Sequence, residues 1–192
     1  MKKLNNIDAI MFDMMGVLLF QRDDYVSNDI VDEIDTLIGC VTNDTTFKQE
    51  MLKKFCFSEE DFNNILTKIV NKYEPFQKLW DLLLELKKYY KLAIINNGTA
   101  LTFSQFDKKL NFKKYFDIFV SSAKEGIKKP DSEIFLIAAC RLGVDPKRCL
   151  FMDDSHSNIE GAKYIGMQTI LWPNKEEGLK KFIELINLYR KP

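Results

Sequence analysis

The sequence predicts an α/β fold, a doubly wound parallel sheet with a small helical unit inserted after its first strand. Three observations predict it. Short apolar runs at residues 7–12, 92–95 and 149–152 each stop at a polar cluster: Asp13, Asn96-Asn97-Gly98 and Asp153-Asp154-Ser155. Apart from Asp8 these runs are unbroken, and apolar runs of that length read as strands covered on both faces, as in a parallel sheet. Helical patterns alternate with the later strands, which is the signature of a doubly wound sheet. Residues 19–73, by contrast, carry helical spacing with no strand between the helices.

The elements follow in chain order. Residues 7–12 form the first strand, and Asp13 ends it. Helical spacing covers 27–38, 45–56 and 58–73, where Ser58 ahead of Glu59-Glu60-Asp61 supplies a capping hydroxyl and first-turn acids. Phe55, Phe57, Phe62, Phe76 and Trp80 are expected to form the core of this unit rather than a face that stacks a ligand. Pro75 is expected in the first turn of a helix running to Tyr89. Strands at 92–95, 117–121, 149–152 and 168–172 come next, with helices at 131–142, 158–165 and 175–189. The core is thus expected to comprise 1–18 and 74–192, and the helical unit 19–73.

The 192 residues, 46% hydrophobic, suffice for one full core and a small subdomain. Charged residues are 29%, and 28 Lys+Arg balance 28 Asp+Glu, so no net field recruits nucleic acid or an anionic membrane. No apolar run reaches membrane-span length, and residues 1–6 lack the pattern of a secretory leader, so a cytoplasmic protein is expected. Cys40, Cys56, Cys140 and Cys149 form no C-x-x-C pair, and with one histidine a Cys/His zinc site is not expected. They are expected to be buried, reduced thiols. Composition leaves the oligomeric state open.

In doubly wound sheets, ligands bind outside the carboxyl ends of the strands. Asp13, Asn96 and Asp154 all sit at such ends, and Lys129 opens the segment before the helix at 131. Asn96-Asn97-Gly98 is also good turn chemistry, and Asp153-Asp154 could cap the turn that follows. Lys128 reads as a solvated neighbour of Lys129, and His156 as a solvent-facing loop residue.

Phe12-Asp13-Met14-Met15-Gly16-Val17-Leu18 resembles the first motif of the haloacid dehalogenase-like hydrolases. Ala93-Ile94-Ile95-Asn96-Asn97-Gly98 resembles the second. Gly126-Ile127-Lys128-Lys129-Pro130-Asp131-Ser132-Glu133-Ile134-Phe135 resembles the third, and Leu150-Phe151-Met152-Asp153-Asp154-Ser155, followed by Asn158, Gly161 and Ala162, the fourth. The helical unit lies where subfamilies with a small helical cap carry theirs. The resemblance implies a Rossmann-like core and a Mg²⁺-dependent phosphatase acting on a small phosphorylated metabolite through an aspartyl-phosphate. It implies Asp13 as nucleophile and metal ligand, with the Met15 backbone carbonyl, Asp154 and Asp153 completing the protein's share of the metal shell. Lys129 is implied to pair with Asp13 and the phosphoryl group, and Asn96 and Asn97 to bind phosphate.

Two positions depart from the pattern. Phosphatases of the family usually carry Asp where this chain has Met15, and a thioether cannot transfer a proton. Asn96 stands where Ser or Thr is usual, although an amide N–H can still donate to phosphate. Two alternatives stay open: a weak or inert protein binding a phosphorylated ligand or partner, and a 2-haloacid dehalogenase. Asp153-Asp154 speaks against the dehalogenase, because those enzymes dispense with Mg²⁺ and lack the acidic pair.

Overall fold

A computed structural model describes residues 6–188; the expectations for residues 1–5 and for Tyr189 fall outside the described residues. The chain runs β1 (Ala9–Phe12), β2 (Leu19–Gln21), α1 (Asp29–Ile38), α2 (Asp44–Phe55), α3 (Glu59–Lys72) and β3 (Tyr73–Pro75). It continues with α4 (Gln77–Leu86), β4 (Lys91–Asn96), α5 (Ala100–Leu110), α6 (Phe112–Tyr115), β5 (Ile118–Ser121) and α7 (Ser122–Glu125). The last elements are α8 (Ser132–Leu142), a 3-10 turn, β6 (Cys149–Asp153), α9 (His156–Tyr164), β7 (Gln168–Leu171) and α10 (Lys175–Leu188).

Five parallel strands form one sheet in the order β5-β4-β1-β6-β7, so the first strand lies at its centre. Successive side chains of a strand point to opposite faces. Ile10, Phe12, Leu92 and Ile94 therefore pack into one apolar layer under α4, α5 and α10, while Ala9, Met11, Ala93 and Ile95 pack into another under α8 and α9. Both faces are dry, which is why the strand sequences show continuous rather than alternating hydrophobicity.

Helices α1 to α3 bury a separate apolar cluster that includes Val31, Ile34, Phe47, Met51, Phe62 and Leu66. The capping box expected at Ser58 is present: its hydroxyl accepts from the Asp61 N–H, and Asp61 accepts from the Ser58 N–H. Polar contacts tie this unit to the sheet. Ser122 Oγ donates to the Val41 carbonyl at 2.6 Å, and the Asp44 carboxylate accepts from the Ala100 N–H at 3.2 Å.

The structure corrects several expectations. Pro75 is not in a helix: it ends β3, which pairs antiparallel with β2 in a two-stranded ribbon that the sequence reading lacks. The Leu18 carbonyl accepts from the Phe76 N–H and from Trp80 Nε1, both at 2.9 Å, and so delays α4 until Gln77. Phe76 and Trp80 consequently pack into the main core, whereas Phe62 lies in the helical unit's cluster with Phe55 and Phe57 against it. Three of the four cysteines are exposed, because Cys40 and Cys56 follow helix ends and Cys140 lies on the outer face of α8. Only Cys149, in β6, is buried, and burial with help from Asp145 pushes its thiol up to about 12. His156 is exposed as expected but opens α9 rather than lying in a loop.

Candidate active site

β1 ends where the chain must turn, and Asp13 is the first residue past it. Its N–H donates to the Met152 carbonyl of β6 at 2.8 Å, which fixes it at the sheet edge. Its Oδ1 accepts from the Met14 N–H at 2.7 Å and from Lys129 Nζ at 2.6 Å. Oδ2 has no hydrogen-bond partner among the described residues and is the oxygen left for chemistry. Burial pushes this carboxyl up to about 7, the Asp153 and Asp154 charges add to the rise, and Lys129 opposes it.

Lys129 reaches the site from the loop before α8. Its Nζ bridges Asp13 Oδ1 and Asp153 Oδ2, the latter at 2.7 Å, and it is 3% exposed. Burial alone would discharge it, but Asp13 and Asp153 hold it above the usual lysine range, so it stays cationic. Two features place the loop that bears it. The Asn97 amide bonds the Lys129 backbone with both ends: Nδ2 donates to the carbonyl at 2.9 Å, and Oδ1 accepts from the N–H at 2.8 Å. Gly161 on α9 lets the loop approach, because a Cβ there would run into the Pro130 carbonyl.

Asp153, expected as a metal ligand, has both oxygens engaged. Oδ2 holds Lys129, and Oδ1 accepts from the Ser155 N–H at 2.8 Å and from Asn158 Nδ2 at 2.9 Å. Asp154 is exposed as a residue, but its carboxyl lies beside Asp13 and Asp153, where partial desolvation and the Asp153 charge raise it. It lies across from Gly16, which has a φ of +81° and no room for a Cβ beside the Asp154 carboxylate. The turn at 14–19 is closed by the Leu18 and Leu19 N–H groups on the Met14 carbonyl and by Gly16 N–H on the Leu19 carbonyl. That leaves the Met15 carbonyl without a donor among the described residues.

The fit of a divalent cation can be judged from these donors. Carboxylate oxygens of Asp13, Asp153 and Asp154 lie within 4.8 Å of one another. An all-oxygen set with like charges crowded together suits a hard cation such as Mg²⁺. Asp13 Oδ2, Asp154 and the Met15 carbonyl are the members with capacity to spare.

Asn96, the last residue of β4, is 4% exposed and lines the same cleft as Asp13 and Lys129. Its side chain has no hydrogen-bond partner among the described residues, so it is poised for a ligand. All four of the residues expected at strand ends and before α8 therefore converge. The cleft, about 360 Å³, is also lined by Asp35, Thr36, Ile38, Lys72 and Tyr73 of the helical unit and β3. These residues were missed from the sequence. Their only trace there was an acid and a lysine on the polar faces of two amphipathic helices, a pattern that nearly every surface helix shows.

A family model described as haloacid dehalogenase-like hydrolase matches residues 10–172. A glyceraldehyde 3-phosphate phosphatase of Methanothermobacter thermautotrophicus is 36% identical over 101 residues, which cover 50% of this chain and 44% of the relative. An (S)-2-haloacid dehalogenase of a Pseudomonas species is 31% identical over 102 residues, 53% of this chain and 44% of the relative. The matched regions thus span less than half the length of these curated relatives. Among solved structures, a HAD family enzyme from Bacteroides thetaiotaomicron in complex with magnesium and inorganic phosphate superposes with a TM-score of 0.68. It is 20% identical, covering 86% of this chain and 93% of that one, a likeness of fold.

Proposed function

This chain belongs to the haloacid dehalogenase-like hydrolases, and we propose that it is a Mg²⁺-dependent phosphatase of small phosphomonoesters, with weak proton transfer to the leaving group. The observation that carries the reading is the buried Asp13–Lys129 pair, with Asp13 Oδ2 free beside a second carboxylate, Asp154.

In this reading Asp13 Oδ2 attacks phosphorus, a P–O bond to Asp13 forms and the bond to the leaving oxygen breaks. Water then hydrolyses the aspartyl-phosphate to return the carboxylate. Lys129 opposes the rise that burial imposes on the Asp13 carboxyl and adds positive charge beside the transferring group. Asn96 donates to a phosphoryl oxygen, while Asn97 acts through the Lys129 backbone rather than on phosphate. Asp13, Asp154 and the Met15 carbonyl would hold Mg²⁺, which supplies charge neutralisation when bound. Asp153 serves mainly as the second anchor of Lys129. Residues 19–73 act as a cap over the cleft, and the protein works in the cytoplasm.

Met15 favours a second reading. No side chain there can protonate the leaving oxygen, which fits a protein that binds a phosphorylated ligand and turns it over slowly or not at all. The gathered carboxylates of Asp13, Asp153 and Asp154, a set able to hold a cation, favour the phosphatase over the 2-haloacid dehalogenase alternative. Hydrolysis of a panel of phosphomonoesters with and without Mg²⁺, in wild type and Asp13→Asn, decides between the first two. Metal-dependent turnover lost in Asp13→Asn supports the phosphatase; ligand binding without turnover supports the binder.

A further inference from the structure

Every cation that lines the cleft is already matched by two carboxylates. Lys129 Nζ is held by Asp13 and Asp153. Lys72 Nζ, at the end of α3, is held by Asp32 Oδ1 at 2.8 Å and Asp35 Oδ2 at 2.7 Å. Tyr73 adds its hydroxyl to the same Asp35 oxygen at 2.6 Å. Asp35 is thereby fixed in place. Its Oδ1 has no hydrogen-bond partner among the described residues, and the residue lines the same cleft as Asp13 and Asn96.

The side of the cleft that would face the non-reacting end of a substrate therefore carries net negative charge. It offers an acceptor and no unmatched cation among the described residues. A hydroxyl or ammonium group can donate to Asp35 Oδ1. A carboxylate or second phosphate would meet like charge with nothing to neutralise it.

Resting on the phosphomonoester site proposed above, we infer that Asp35 is a specificity-determining residue that selects phosphomonoesters with a hydroxyl- or ammonium-bearing end and rejects those with a second anionic group. Lys72 and Tyr73 are positioning residues that hold the carboxylate at the cleft wall. Thr36, whose hydroxyl donates to the Asp32 carbonyl, keeps acceptor capacity beside it.

The test compares glycerol 3-phosphate with 3-phosphoglycerate, which differ at one end by a hydroxymethyl against a carboxylate. Binding is measured by calorimetry with Mg²⁺ present, on the Asp13→Asn protein, so that turnover does not enter. Glycerol 3-phosphate is expected to bind at least about tenfold tighter, in line with an unscreened like-charge contact near a protein surface. Adding Asp35→Asn should bring the two affinities to within about threefold of each other. As a check that does not depend on a variant's folding, the methyl ester of 3-phosphoglycerate should recover most of the lost affinity. Equal affinities in the parent protein, a preference for the carboxylate, a preference untouched by Asp35→Asn and by esterification, or no binding of either compound would each overturn the assignment. The same preference in a protein whose Asp13-intact form hydrolyses nothing would instead sink the phosphatase reading and leave Asp35 in its role.

Discussion

Lys129 Nζ lies 2.6 Å from Asp13 Oδ1, joining residues 116 positions apart in the chain, and both side chains are buried. An ammonium in such a place is tolerated only because Asp13 and Asp153 flank it. Removing one partner of a buried pair strands the other charge, at a cost of about 3–5 kcal/mol. Lys129→Met should therefore lower the free energy of urea unfolding by that amount, far more than Lys128→Met at the neighbouring exposed site. Equal costs for the two would mean that the pair is not closed in solution.

The strand-end site was legible in the sequence because each of its members is punctuation. Asp13, Asn96 and Asp153-Asp154 are the polar residues that stop an apolar run, and a parallel sheet brings such stops to one edge. What was not legible depended on partners far away along the chain. Asn97 gives no sign that its amide bonds a backbone 32 residues on, so its hold on Lys129 could not be read from the sequence. The β2–β3 ribbon is three residues a side, too short for alternation to register. Asp35, Lys72 and Tyr73 meet only because α1 and α3 pack together, and helical periodicity reports a face rather than its neighbour.

Asp13 gives a pH dependence with a definite sign. Its carboxyl rises from an ordinary 3.8 to about 7 in the fold, so the folded chain holds that proton more tightly than the unfolded chain. Its contribution favours the fold below the ordinary value and declines as pH climbs through the window between the two, then levels off. Unfolding midpoints of wild type measured against Asp13→Asn in metal-free buffer should show that decline only in wild type. Parallel curves would mean that Asp13 titrates as an ordinary carboxyl.

Asn97→Ala removes two hydrogen bonds to the Lys129 backbone and should cost about 1–3 kcal/mol of stability. Because the lysine loop would loosen, kcat should fall while KM changes little. A large rise in KM with kcat preserved would instead place Asn97 on the substrate.

Met15→Asp restores a proton-transfer group to a site whose nucleophile and cation are in place. It should raise kcat/KM, with an upper range of about 10²–10⁴ for a poor alkyl leaving group and a smaller gain for an activated aryl phosphate. A folded Met15→Asp protein that gains nothing on either substrate would point to the binding protein instead.

In the proposed reaction Asp13 Oδ2 becomes covalently phosphorylated. The direct measurement is to quench the protein during turnover of a phosphomonoester with Mg²⁺, reduce with borohydride and determine the mass of the peptide that carries residue 13. Borohydride converts an acyl phosphate to an alcohol and leaves a free carboxylate untouched. Conversion is expected at Asp13, dependent on substrate and Mg²⁺ and absent from Asp13→Asn. Steady turnover with Asp13 unmodified at every quench time, or conversion at another carboxylate, would contradict it.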